Sequence, residues 1–173
     1  MTFPGIGGLF AQRPDTAVVL SQLAETLLRG DSSPLSRGER ELIAAYVSHL
    51  NDTAFCAASH SAFAAAQLEG GAELVAAVLA DAGSAGIGPL MRALLDVAAE
   101  VQAQAAPVSD GAIAAARAAG ATDDHIHDTV LIAAAFAMFN RYVSGLATGL
   151  PSDASFYETA AGLIVERGYE AAR

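Results

Sequence analysis

Residues 36–68 read SRGERELIAAYVSHLNDTAFCAASHSAFAAAQL, and this stretch decides the fold. Ser36 followed three positions on by Glu39 is the pattern of a capping box, in which a hydroxyl and a carboxylate satisfy the free amides at a helix start. It predicts a helix over 37–50. Asn51-Asp52 is a tight-turn signal, and Asp52 is the expected cap of a second helix over 53–68. Two helices joined so closely must lie antiparallel. Glu41 stands ten residues before Asn51, and His60 eight after Asp52. At a rise of about 1.5 Å per residue, the two sit roughly 15 Å and 12 Å from the turn, nearly level across the hairpin.

Thr53, Cys56, His60 and Phe63 follow one another at the spacing of a single helix face. Cys56 and His60 are four apart, so thiol and imidazole are neighbours. Cys56 also lies near the start of its helix, where the dipole and a protonated His60 would lower the thiol pKa. A carboxylate behind the histidine would orient and polarise it. That is one reading. In the other, a lone cysteine among alanines is an inert core residue and the histidine beside it is structural. Spacing alone leaves both open.

Outward from the hairpin, apolar residues at helical spacing predict further helices over 16–29, 72–82, 89–104, 109–120, 123–145 and 152–167, separated by glycine and proline breaks. No strand alternation is present. The expected fold is an all-α multi-helix bundle in one domain over 15–173, with 36–68 as its core motif and 1–14 as an irregular N-terminal arm. Hydrophobic residues make up 53% of the chain and mean hydropathy is +0.39. Much of this is alanine, which forms helices well but buries little area. More apolar surface than one subunit hides points to a homo-oligomer.

A formal charge of −10 excludes nucleic acid and anionic membrane surfaces as natural partners. All nine basic residues are arginine, so no lysine is available for Schiff-base chemistry. The single cysteine excludes an intramolecular disulfide. The start of the chain lacks the basic and apolar blocks of a signal peptide, and the apolar stretch 130–139 is about half of a membrane span. The expected location is cytoplasmic.

The segment from Glu41 to His60 resembles the core motif of the alkylhydroperoxidase D (AhpD)-like and carboxymuconolactone decarboxylase superfamily: a glutamate, eleven residues, then Cys-x-x-Cys-x-x-x-His. Leu35 to Arg40 is similar to the lead-in of its peroxidase-related branch. Phe139-Asn140-Arg141 and Gly145-Leu146 resemble that branch's C-terminal helix, so the likeness covers about 15–150. One departure matters, since the first cysteine of the motif is Thr53 here. The resemblance implies an oxidoreductase that reduces organic hydroperoxides, with Cys56 as nucleophile, His60 as its base and Glu41 orienting His60. It implies no cofactor and no metal, and assembly as a trimer, hexamer or dimer. With Thr53 in place of the resolving cysteine, a sulfenic acid on Cys56 would need an external thiol reductant. Relatives of the decarboxylase kind lack the cysteine pair. That suggests an alternative in which His60 and Glu41 act by acid–base chemistry on a small organic acid, with Arg141 as carboxylate anchor. A non-catalytic helical scaffold is the third reading.

Other residues are weaker candidates. His49 and Tyr46 are near the hairpin and are possible site-lining residues, as are Thr53, Phe63 and Arg141. His49 points some 80° away from Glu41 at about 100° per residue and reads as solvated, and Tyr46 reads as core. His125 and His127 are two apart and face different sides of a helix, which is not a metal-ligating pair. Asn140 and Arg141 interrupt an apolar run and read as a buried polar pair.

Overall fold

The computed structural model describes residues 4–170, which form helices joined by short turns, with no strand among them. In chain order these are α1 (Gly5–Gln12), α2 (Pro14–Arg29), α3 (Arg37–Leu50), α4 (Ala54–Ala65), α5 (Gly71–Ala80), α6 (Pro89–Ala103), α7 (Asp110–Ala118), α8 (Asp123–Gly145) and α9 (Ala154–Arg167). The all-α expectation and the positions of the principal helices agree with the structure.

Helix α3 starts at the capping box: Ser36 accepts from the Glu39 amide, and Glu39 reaches back to the Ser36 amide. It is buried almost all round, because α4, α6, α8, α2 and α5 pack about it. A helix wrapped on every side needs apolar or small residues on every side, and Leu42, Ile43, Ala44, Ala45 and Val47 supply them at 0–1% exposure. Gly38 lets the end of α4 approach, since a Cβ there would fall 2.8 Å from the Leu68 side chain. Arg40 is buried on the α2 side and donates to the Leu27 and Gly30 carbonyls. These are among the carbonyls that a helix end leaves without partners.

Three local expectations are corrected. Residues 5–12, read as part of an irregular arm, form α1, while residues 1–3 lie outside the described residues. Asp52 does not cap α4. It takes the left-handed conformation (φ 51°) that turns the chain, and Thr53 becomes the cap position without a side-chain cap bond. Arg141 is not buried. On α8 it shares an outward face with Leu131, Ala134 and Met138, whereas Asn140 points inward at 1% exposure.

Candidate active site at the hairpin

The antiparallel hairpin of α3 and α4 brings Glu41 and His60 into direct contact. His60 Nδ1 and Glu41 Oε2 are 2.7 Å apart, and Glu41 is 1% exposed. A carboxylate can only accept, so Nδ1 carries the shared proton and Nε2 is the imidazole's remaining nitrogen. The second carboxylate oxygen, Oε1, accepts the hydroxyl of Tyr169, from the segment just after α9. Burial and the adjoining Glu41 charge hold the Tyr169 phenol well above its ordinary pKa, so it stays a donor. The His60 ring is fixed by aromatic edges, with Phe136 at 4.5 Å and Phe63 at 5.1 Å between centroids, and it lies nearly parallel to the Tyr169 ring.

His60, Tyr169 and Cys56 all line one cavity of about 860 Å³ bordered by α1, α2, α4, α8 and α9. Phe10, Phe55, Phe63, Phe136, Phe139 and Phe156 line it too; these are all of the phenylalanines among the described residues. Among the described residues, Asp153 is the one acidic residue on its wall and no arginine reaches it. Such a wall suits neutral, apolar guests.

Cys56 occupies a drier part of the cavity. It is 5% exposed and packs with Leu9 of α1 and Val143 of α8. Gly5, at φ 59°, lets α1 close over this region: a Cβ there would lie 2.0 Å from the Phe55 ring. Burial pushes the thiol up to about 11, and a hydrogen bond from Asn140 offsets part of that rise. The expected fall in thiol pKa is therefore reversed. Desolvation under α1 outweighs the helix dipole, and no hydrogen bond among the described residues joins Cys56 to His60.

The remaining candidates separate from this centre. Thr53 is buried, and its hydroxyl meets Ser144 at 3.2 Å rather than the cavity. Tyr46 is half-buried against the main core, and His49 is exposed. Phe63 does line the cavity. Arg141 is outside it, donating to its own helix at the Ala137 carbonyl. His125 is taken up in a capping box with Thr122, and the exposed His127 sits beside Asp128. Asn140 belongs to a polar chain behind the cysteine, accepting from Asn51 at 2.9 Å and donating to Ser48 at 3.0 Å.

Sequence reasoning missed Tyr169 and the aromatic wall. Tyr169 is 128 residues from Glu41, and no periodicity connects a tyrosine beyond a helix end to that carboxylate. A weak signal was present in the Gly168-Tyr169 pair, where a glycine lets the chain turn back.

The family profile of the carboxymuconolactone decarboxylase family matches residues 14–100. The chain belongs to that family, within the superfamily that also holds the AhpD-like proteins. Among solved structures it is similar to an uncharacterized peroxidase-related protein from Silicibacter sp. TM1040, at 26% identity and TM-score 0.78, covering 90% of this chain and 78% of that one. It is also similar to an AhpD-core, uncharacterized peroxidase-related protein from Ralstonia eutropha JMP134, at 25% identity and TM-score 0.80, covering 91% and 80%. A protein of unknown function from Agrobacterium tumefaciens shares the fold, at 22% identity and TM-score 0.71, covering 84% and 97%. No curated protein matches the chain.

Proposed function

We propose that this chain is a single-cysteine peroxidase of the AhpD type that reduces organic hydroperoxides at Cys56 with an external thiol. The observation that carries the proposal is the buried 2.7 Å contact between Glu41 and His60 beside an apolar cavity that Cys56 also lines. In the reaction, His60 Nε2 takes the thiol proton as the sulfur attacks the outer peroxide oxygen. The O–O bond breaks, Cys56 becomes a sulfenic acid, and the departing alkoxide takes the proton back from His60 to leave as the alcohol. One external thiol condenses with the sulfenic acid to give a mixed disulfide and water. A second thiol displaces it, restoring Cys56 and releasing the oxidised reductant.

With the thiol pushed up to about 11, no standing thiolate accumulates near neutrality. The nucleophile has to be made during attack, as general-base catalysis does. The apolar wall supports an organic hydroperoxide over hydrogen peroxide as substrate. Exposed Val19, Leu146 and Leu150 support the further proposal of self-association. The test is to treat the protein with cumene hydroperoxide and trap sulfenic acid by mass spectrometry. We expect modification at Cys56, faster than with hydrogen peroxide. A thiol that stays unmodified from pH 6 to pH 9 rules the reading out.

One observation favours a second reading: His60 is hydrogen-bonded to Glu41 and not to Cys56. A carboxylate–imidazole pair alone is competent for proton transfer on a small organic substrate. Among the described residues no arginine lines the cavity, which weighs against an anionic one. Activity that survives Cys56→Ser would select this acid–base reading.

A further inference from the structure

Glu41 is a carboxylate in a dry place. Among the described residues its bonded partners are His60 and Tyr169, and it is ion-paired to no arginine. Arg40, its neighbour in sequence, turns its guanidinium to the Leu27 and Gly30 carbonyls. A buried carboxylate is kept ionised by donors or cations and otherwise takes up a proton. Here the donors among the described residues are the His60 Nδ1–H and the Tyr169 phenol, and the phenol is the one outside the proposed base itself.

The phenol is itself held in place from α2. Glu25 Oε2 accepts the Tyr169 amide at 2.7 Å, and Arg29, paired with Glu25 at 3.1 Å, donates to the Ile164 carbonyl at 2.8 Å near the end of α9. Gly168 makes the turn between them at φ 79°, and a Cβ there would fall 2.4 Å from Glu25 Oε2. Two charged residues of α2 thus clasp the end of α9, and the clasp aims a hydroxyl at Glu41.

We propose that Tyr169 is a positioning residue, which keeps the buried Glu41 carboxylate ionised and so keeps His60 Nε2 available as a base. The inference rests on the proposed role of His60 as base. Without the phenolic donor, the state with an ionised Glu41 and a neutral His60 loses one of its two hydrogen-bond donors. The pair then takes up a proton at higher pH, and the base is lost there. The charged and titratable surroundings of Glu41 are few. They are His60 from α4, Tyr169 after α9, Arg40 on α3 itself, and Asp128 of α8 acting on Arg40. Glu25 and Arg29 of α2 act on Tyr169, and the charge of Asp96 on α6 falls on Tyr46 instead.

The experiment follows the His60 ring by nitrogen-detected NMR across pH, together with the pH profile of Cys56 oxidation by cumene hydroperoxide. In the wild type we expect the Nδ1–H tautomer of neutral His60. Tyr169→Phe keeps the ring that packs on Phe63 and removes only the hydroxyl. It should raise the His60 midpoint by about one pH unit, the size expected for one hydrogen bond to a charge. The acid limb of the oxidation profile should move with it. Gly168→Ala, which dislodges the clasp without touching the phenol, should shift the midpoint in the same direction and serves where Tyr169→Phe fails to fold. A folded variant whose midpoint stays put or falls overturns the proposal. If the midpoint moves while wild-type Cys56 ignores peroxide, the clasp stands and the peroxidase reading falls.

Discussion

The two reactive groups of this cavity are built on opposite plans. At the Glu41–His60–Tyr169 end both carboxylate oxygens are bonded, and the imidazole is held by three aromatic neighbours. At the Cys56 end the sulfur lies among Leu9 and Val143, with burial holding its proton on. On the proposed peroxidase reading, the base is assembled before substrate arrives and the nucleophile is not. On that reading, reactivity is tied to occupancy of the cavity, which would spare a buried thiol from adventitious oxidation.

The most damaging way to break this contrast is to empty its polar end. Glu41→Ala leaves the His60 Nδ1–H and the Tyr169 hydroxyl buried without an acceptor and opens a void in the best-packed helix. We expect a loss of about 3 kcal/mol in stability, read from urea unfolding, from two orphaned donors together. Oxidation of Cys56 should slow by a factor on the order of 10² to 10⁴, as for other acid–base groups. A variant as stable and reactive as the wild type would mean that the contact has no energetic content.

The apolar end yields a pH test. Burial raises the Cys56 pKa from the ordinary thiol value of 9.0 to about 11 in the folded chain. For a group whose folded pKa is raised, the stabilisation is complete below the unfolded value and is lost as pH climbs through the folded one. Between pH 9 and pH 11 the wild type should therefore lose about 2 kcal/mol more than Cys56→Ala, which has no thiol to ionise. Tyr169 titrates in both proteins and cancels in the difference. Parallel stability curves over this window would show that the sulfur is wetter than its packing implies.

How legible each end was follows from the range of its contacts. The hairpin is local: a capping box, a tight turn and level heights place Glu41 opposite His60 within twenty residues. The cover over Cys56 comes from α1, a segment whose three glycines and preceding proline hide its helical character until it packs against Phe55. Tyr169 arrives from the far end of the chain. Arg141 was misjudged for a related reason. The apolar run on α8 suggests a buried Asn140–Arg141 pair, yet Leu131, Ala134 and Met138 form an exposed stripe that Arg141 continues. Hydrophobicity gives the identity of a helix more readily than its orientation, particularly when alanine blurs the two faces.

The gentlest perturbation sharpens the contrast by adding a second sulfur to the dry end. On the motif resemblance, Thr53 takes the place of the other cysteine; it lies three positions before Cys56 at the start of α4. Residues three apart on a helix have Cα atoms roughly 5–6 Å apart, within the span a disulfide bridges. Thr53→Cys gives up the Thr53–Ser144 hydrogen bond, so a cost of about 1 kcal/mol is expected before oxidation. If the chain lacks only a resolving partner, the variant should convert the sulfenic acid to a 53–56 disulfide. It should then turn over with a dithiol reductant, where the wild type is progressively over-oxidised. Mass spectrometry after one equivalent of hydroperoxide distinguishes the two products. Over-oxidation of Cys56 at the wild-type rate in this variant would show that Thr53 is not the missing half of the cycle. The packing of Leu9 and Val143 about the sulfur would then be what limits its exchange.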